Sequence, residues 1–186
     1  GNNVKSYAMA LISLKELATS DDKDIRVYDI NTTKCLYTLS GHNNWIKDLK
    51  DGMSKLIPGP WNSPKSHYGP LVSKKAKEKV LSLIETGKTE ATCLLDGSNC
   101  QIDEFPEGNW VGPTLFKDVT IDSTIYKTEI FGPVLLCIEV NNIEDAIKLV
   151  NSNPYGNGTS IFTSSGQAAR KYRHEIEVGQ VGINVP

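Results

Sequence analysis

Pro133-Val134-Leu135-Leu136-Cys137-Ile138-Glu139-Val140, followed by Asn142-Ile143-Glu144-Asp145-Ala146-Ile147-Lys148-Leu149-Val150-Asn151, changes its hydrophobic period midway. The first run is nearly continuous in Val, Leu and Ile, which suits a strand covered on both faces. The second places Ile143, Ala146, Ile147 and Val150 on one face of a helix. A buried strand feeding an amphipathic helix is the building unit of an α/β layer.

The alternation continues outward in both directions. Asn153-Pro154-Tyr155-Gly156 turns into a strand over 159–163, residues 165–175 read as helix, and 179–185 as a last strand. Upstream, Ser73 is a helix N-cap, with Ala76, Val80, Leu83 and Ile84 on one face and Gly87 as the stop. Strands are expected over 91–95, with a turn at Asp96-Gly97, and over 110–116. The strands near 91–95, 133–140 and 159–163 are expected in one sheet. Residues 57–70 hold four Pro and two Gly and read as loop. Trp45, Leu49, Met53 and Leu56 recur at helical spacing.

Before residue 45 the period is different. Ile25-Arg26-Val27-Tyr28-Asp29-Ile30 alternates with period 2, and Cys35-Leu36-Tyr37-Thr38-Leu39 reads as a further short strand. Turn-forming clusters at 20–24 and 31–34 separate them. The chain therefore divides into a small antiparallel β segment over 1–44 and an α/β part over 45–186.

Composition narrows the function. Twenty Lys and Arg stand against 22 Asp and Glu, a net charge of −2, so no basic excess points to nucleic acid. No unbroken apolar run exceeds six residues, far short of the roughly 20 residues of a membrane span. No secretory leader opens the chain, and the expected setting is soluble and intracellular. Cys35, Cys93, Cys100 and Cys137 form no C-x-x-C pair and do not cluster with His42, His67 or His174, so no metal site is expected. Buried free thiols are the plain reading.

Two resemblances follow from longer stretches. Residues 8–42 resemble a single WD repeat. Leu17-Ala18-Thr19-Ser20-Asp21-Asp22-Lys23, Ile25-Arg26-Val27-Tyr28-Asp29 and the run from Lys34 to Gly41-His42 carry it, with Tyr28-Asp29 in place of the Trp-Asp pair. One repeat is one propeller blade and buries its faces only against neighbours. Asp22, Asp29 and His42 are read there as turn and strand-edge hydrogen bonders.

Residues 45–186 resemble the C-terminal part of the aldehyde dehydrogenase superfamily, in its CoA-acylating methylmalonate-semialdehyde dehydrogenase branch. Four stretches carry this: Tyr68-Gly69-Pro70-Leu71-Val72-Ser73; Glu129-Ile130-Phe131-Gly132-Pro133-Val134; Asn153-Pro154-Tyr155-Gly156-Asn157-Gly158-Thr159 with Ile161-Phe162-Thr163; and Gly179-Gln180-Val181-Gly182-Ile183-Asn184-Val185-Pro186. The resemblance implies a partial aldehyde-dehydrogenase catalytic domain, with NAD and CoA as cofactors. It makes Glu129 the acceptor of hydrogen bonds from the nicotinamide ribose hydroxyls, since an ionised carboxylate is acceptor-only. It makes Phe131 the aromatic beside the nicotinamide, with Gly132-Pro133 as the turn that aims both. Asn184 matches a position near the substrate tunnel; by its own chemistry it is equally a strand-end residue bonding backbone.

The family's nucleophilic Cys lies upstream of the Gly-Pro-Leu helix, and no matching segment stands there. Cys35, beside Lys34, is the sole upstream thiol, and Ala8 stands where a faint match over 6–11 would need Cys. No catalytic residue is assigned. The expectation is a fragment or chimera of a CoA-acylating, NAD-dependent methylmalonate- or malonate-semialdehyde dehydrogenase, inactive alone. The alternative is a non-catalytic interaction protein: a pseudoenzyme docking on a dehydrogenase subunit, or a WD-type binding module. Expected partners are a dehydrogenase subunit or a second copy, with no nucleic acid and no membrane. The resemblance places the protein in mitochondria, the lack of a visible leader in the cytoplasm.

Overall fold

The computed structural model describes residues 16–21, 24–29, 35–40 and 45–185, with backbone alone before residue 46. The sequence readings at residues 1–15, Asp22, Lys34, Gly41-His42 and Pro186, and those on the side chains of Cys35 and Asp29, lie outside the described residues. The described chain forms two compact units. One comprises residues 47–137; the other combines residues 138–185 with the strands before residue 46.

In the second of these, β1 (Glu16–Asp21), β2 (Asp24–Asp29) and β3 (Cys35–Ser40) make an antiparallel meander in the order β1-β2-β3. Asp21 pairs with Asp24, and a bulge between Val27 and Tyr28 interrupts the β2–β3 register. This is the expected small antiparallel element, one sheet of three strands.

Helix α1 (Trp45–Met53) leads into the unit over 47–137 and buries Leu49 and Met53. The long helix α2 (Lys74–Glu90) starts where expected: the Ser73 hydroxyl accepts from the Ala76 N–H at 3.1 Å. Its apolar face buries Val80, Leu83 and Ile84. The helix does not stop at Gly87 but runs one turn further. Gly87 is a contact point instead: a Cβ there would lie 2.8 Å from Cζ of the buried Phe116 ring. The absence of a side chain serves packing, not termination.

After α2 come β4 (Thr92–Leu95), β5 (Thr114–Lys117), the one-turn helix α3 (Thr124–Lys127) and β6 (Val134–Leu136), with sheet order β4-β5-β6. β4 and β5 are antiparallel, β5 and β6 parallel. β5 is shorter than the expected 110–116 because Pro113 has no N–H to give a ladder and the Gly112 N–H is spent on Gly97 O at 2.8 Å. Ser123 caps α3, and the Glu90 carboxylate reaches back from the end of α2 to accept from the Ile125 N–H at 3.3 Å. Hydrogen bonds from the Thr124 hydroxyl, then from the Thr124 and Ile125 amides, hold the Glu90 carboxyl below its usual range.

The C-terminal elements are α4 (Ile143–Ser152), β7 (Gly158–Ile161), α5 (Gly166–Glu175) and β8 (Gln180–Ile183). Asn142 caps α4, accepting from the Asp145 N–H at 2.8 Å; Ser165 caps α5, accepting from the Ala168 N–H at 3.2 Å. Strand, helix and strand β7-α5-β8 form a parallel crossover unit. Ile147, Tyr172 and Ile176 are its buried centre, flanked by Ile143, Val150, Ile161, Val178 and Val181. The Tyr172 hydroxyl meets Thr159 Oγ1 at 2.5 Å, which satisfies a phenol buried in this apolar cluster.

One expectation is corrected. Strands near 91–95 and 133–140 do share a sheet, through β5, but β7 pairs with β8 in a separate two-stranded sheet. The unbroken apolar run reports burial of both faces and carries no information on which strand lies at the edge.

Candidate functional site

The segment after α3 is folded tightly. The Thr128 N–H closes α3 on Thr124 O at 3.0 Å. Gly132 N–H then donates to Ile130 O at 2.9 Å and Val134 N–H to Gly132 O at 2.8 Å, two successive three-residue turns. Thr114 N–H donates to Pro133 O at 2.8 Å and ties the segment to β5. Side chains along it alternate in fate. Ile130 is buried, Glu129 half-buried, and Phe131 stays 53% exposed.

Gly132 explains how the loop is held. A Cβ built there would stand 2.9 and 3.1 Å from the two methyls of Val80, a buried residue of α2. Only glycine lets this backbone approach the helix so closely. Val80 is thus a positioning residue for the Glu129–Gly132 segment. Its helical spacing marks it as core in the sequence but does not reveal what it faces.

The Glu129 carboxylate has no hydrogen-bond or ion-pair partner among the described residues. An acceptor-only group left free, two residues from an aromatic ring that is half in solvent, is suited to a ligand offering hydroxyls and a flat apolar face. A nicotinamide riboside is one ligand that offers both features.

Asn184 sits in the other unit, and its side chain is engaged. It adopts a left-handed backbone, φ 56°. Its Oδ1 accepts from the Thr163 N–H at 2.8 Å, its Nδ2 donates to Thr163 O at 3.1 Å, and its own N–H donates to Ile161 O at 2.8 Å. The amide continues the β7–β8 ladder by one side-chain rung.

The described thiols are held in the neutral form. Burial pushes Cys137 up to about 12, and burial is also the leading cause that raises Cys93 and Cys100. A thiol shifted upward is a poor nucleophile at neutral pH. Among the described residues no three His, Cys, Asp or Glu side chains gather as metal ligands. No helix among them is long and apolar enough to cross a membrane.

One charged cluster has little trace in the sequence. Lys88 Nζ meets Asp96 at 2.7 Å and Glu85 at 2.6 Å. Only the three-residue spacing of Glu85 and Lys88 on α2 hints at it. Burial alone would raise the Asp96 carboxyl, but hydrogen bonds from Lys88 and Ser98 overcome this and hold it at about 2.

Comparison with known proteins agrees with the resemblance of the longer part. The model of the aldehyde dehydrogenase family matches residues 30–186. The methylmalonate-semialdehyde/malonate-semialdehyde dehydrogenase [acylating] of Bos taurus mitochondria is 48% identical over 143 residues, 76% of this chain and 27% of that protein. A Sinorhizobium meliloti structure described as a methylmalonate-semialdehyde dehydrogenase complexed with NAD superposes with a TM-score of 0.74 at 41% identity, covering 77% of this chain and 30% of that one. The Thermus 1-pyrroline-5-carboxylate dehydrogenase with bound NAD gives a TM-score of 0.69 at 31% identity, over 77% of this chain and 27% of its own. The chain thus spans little more than a quarter of the length of the curated relatives it matches. The WD resemblance finds no support in these matches, and the family model reaches into that stretch from residue 30. Fold, turn geometry and matched length lead to one conclusion: this chain belongs to the aldehyde dehydrogenase family.

Proposed function

We propose that the chain carries the nicotinamide-ribose side of a CoA-acylating methylmalonate- or malonate-semialdehyde dehydrogenase and does not complete the reaction alone. The observation that carries this is the Glu129 carboxylate, without a partner among the described residues, two positions before the exposed Phe131 on a loop fixed by the Gly132–Val80 contact. NAD, when bound, supplies a hydride acceptor. Glu129 would hold its ribose diol, and Phe131 would cover one face of the ring and exclude water. Pinning the loop before the ligand arrives lowers the ordering cost of binding. CoA as acyl acceptor rests on the "acylating" names of the relatives, and a mitochondrial setting likewise.

The thioester chemistry needs a reactive thiolate. Burial works against that in Cys93, Cys100 and Cys137, which supports the reading that none of these three is the nucleophile. Docking on a dehydrogenase subunit or a second copy would supply the missing groups.

One carboxylate holding one diol gains only about 1.5–3 kcal/mol per hydrogen bond. Association costs about 4–15 kcal/mol in lost freedom. The expected dissociation constant for NAD is therefore about 1 mM or weaker, a binding free energy near −4 kcal/mol. Backbone NMR shifts during a titration with NAD test this. Shifts confined to residues near 129–132, lost in Glu129→Ala, support the assignment. Shifts elsewhere, or none at saturating NAD, sink it. NADH formation from either semialdehyde with CoA present would refute the claim of inactivity.

A further inference from the structure

Asn-Gly occurs once in the chain, at Asn157-Gly158, and Asp-Gly twice, at Asp51-Gly52 and Asp96-Gly97. In each, a side-chain carbonyl carbon sits one residue before an amide that no Cβ shields. Closure of a ring between them needs a side chain free to rotate and a following N–H free of hydrogen bonds. Asp51-Gly52 is inside α1, where helical backbone holds the two groups apart. At Asp96-Gly97 the Gly97 N–H is spent on the buried Thr114 hydroxyl at 3.1 Å. The Asp96 carboxylate is itself pinned by the Ser98 N–H at 2.9 Å and by Lys88.

Asn157-Gly158 carries neither restraint among the described residues. Both residues are exposed, and the Asn157 side chain has no hydrogen-bond partner among the described residues. Gly158 opens β7, and the phase of the ladder decides where its N–H points. Ile161 O accepts from the Asn184 N–H, so Ile161 and Thr159 exchange bonds with β8 and the Gly158 amide faces away from it. Space is open as well: a Cβ at Gly158 would meet nothing closer than Gln180 Cβ at 3.7 Å.

We propose that Asn157-Gly158 is a site of spontaneous deamidation and isoaspartate formation, favoured over the two Asp-Gly pairs because its neutral amide is a better electrophile than an ionised carboxylate and because the fold restrains those pairs. The Gly158 nitrogen attacks Asn157 Cγ and gives up its proton. The new C–N bond replaces the Cγ–Nδ2 bond, and ammonia leaves with that proton. Water then adds to one of the two carbonyls of the cyclic imide. Opening on one side leaves an aspartyl residue at 157; opening on the other leaves an isoaspartyl residue, with an extra methylene in the main chain. No oxidation state changes. Both products add a negative charge next to the start of β7, where Gly156 O accepts from the Gly179 N–H at 2.9 Å. The isoaspartyl form lengthens the chain at that junction.

The test incubates the folded chain at neutral and mildly alkaline pH and maps peptides by mass spectrometry. Isoaspartyl carboxyls are labelled by an S-adenosylmethionine-dependent isoaspartyl methyltransferase. The expected result is an amide-to-acid mass gain and methyl label concentrated at position 157. The rate should rise with pH as the attacking amide ionises, and fall several-fold in Gly158→Ala, which the open space accommodates. In urea, label should also appear at Asp96, because its restraints are gone. A folded chain that labels Asp96 as fast as position 157, or leaves position 157 unlabelled, overturns the proposal. So does an Asp96 that stays silent in urea, since the fold would then not be what protects it.

Discussion

Gly132→Ala should cost about 1–2 kcal/mol of stability, and Val80→Ala should partly rescue it. The added methyl would sit 2.9 and 3.1 Å from the Val80 methyls and 3.6 Å from Val80 Cβ. Carbon pairs prefer about 3.5–4.0 Å, so the two surfaces must separate by roughly half an ångström or more. Val80 is 2% exposed and β-branched on a helix, which leaves it essentially one rotamer. Overpacking of this kind costs about 1–3 kcal/mol. Losing a glycine from the unfolded chain returns about 0.4–1 kcal/mol. Val80→Ala alone removes two buried carbons, about 1.6 kcal/mol at about 0.8 each, plus a cavity contribution. In the double variant the new methyl enters the space that Val80 vacates, so the cost should fall below the sum of the singles by about 1 kcal/mol or more. Urea unfolding of the four chains reads this directly, with a slope of about 1–3 kcal/mol per molar. Additivity within about 0.5 kcal/mol would refute the reasoning, because distant sites add to that accuracy. It would mean that the loop yields freely and that Val80 positions nothing.

Three further outcomes are expected. Asp96 titrates at about 2 in the fold against 3.8 ordinarily, so its stabilising effect is complete above pH 3.8 and is lost as pH falls through 2. With the side chain 37% exposed, screening limits it to under about 1 kcal/mol, and Asp96→Asn should flatten the acid limb of a stability–pH curve by that amount. Cys137, buried and raised to about 12, should resist alkylation in native buffer and react only on unfolding, read by mass spectrometry with and without urea. Asn184→Ala removes two hydrogen bonds to Thr163 and keeps the left-handed backbone without its tolerant residue, so melting should drop by the equivalent of about 1–3 kcal/mol. Asn184→Gly should lose less, since it relieves the backbone.

Local signals were legible and pairing was not. Ser73 announces α2 as its cap because a cap acts within one turn of itself, and Asn142 and Ser165, where the hydrophobic pattern already starts α4 and α5, prove to cap them. Gly87 misleads for the complementary reason: the ring it makes room for, Phe116, is far away in sequence, and a stop signal and a packing notch share one residue type. The partner of β7 depends on contacts that no hydrophobic period encodes. At the candidate site, Glu129 and Phe131 are ordinary residues by chemistry and stand out only through the stretch that contains them. Phe131 would pass for core, yet it is half exposed. Asn184 carried two readings, and its geometry shows how fully its amide is occupied by backbone.

Helix α2 holds the 124–132 segment near both of its ends, with Val80 against Gly132 and the Glu90 carboxylate on the Ile125 amide. The two contacts are ten residue steps apart on the helix, a span of about 15 Å at about 1.5 Å per residue. The helix therefore works as a ruler, with the loop that carries Glu129 and Phe131 strung between two of its marks. A single residue inserted between 80 and 90 would advance one mark by about 1.5 Å and swing it about 100° around the axis. Both contacts could then not be kept at once, although every residue of the loop itself would be unchanged. The length of α2 is in this sense part of the site's specification, written some forty residues upstream of the groups it places.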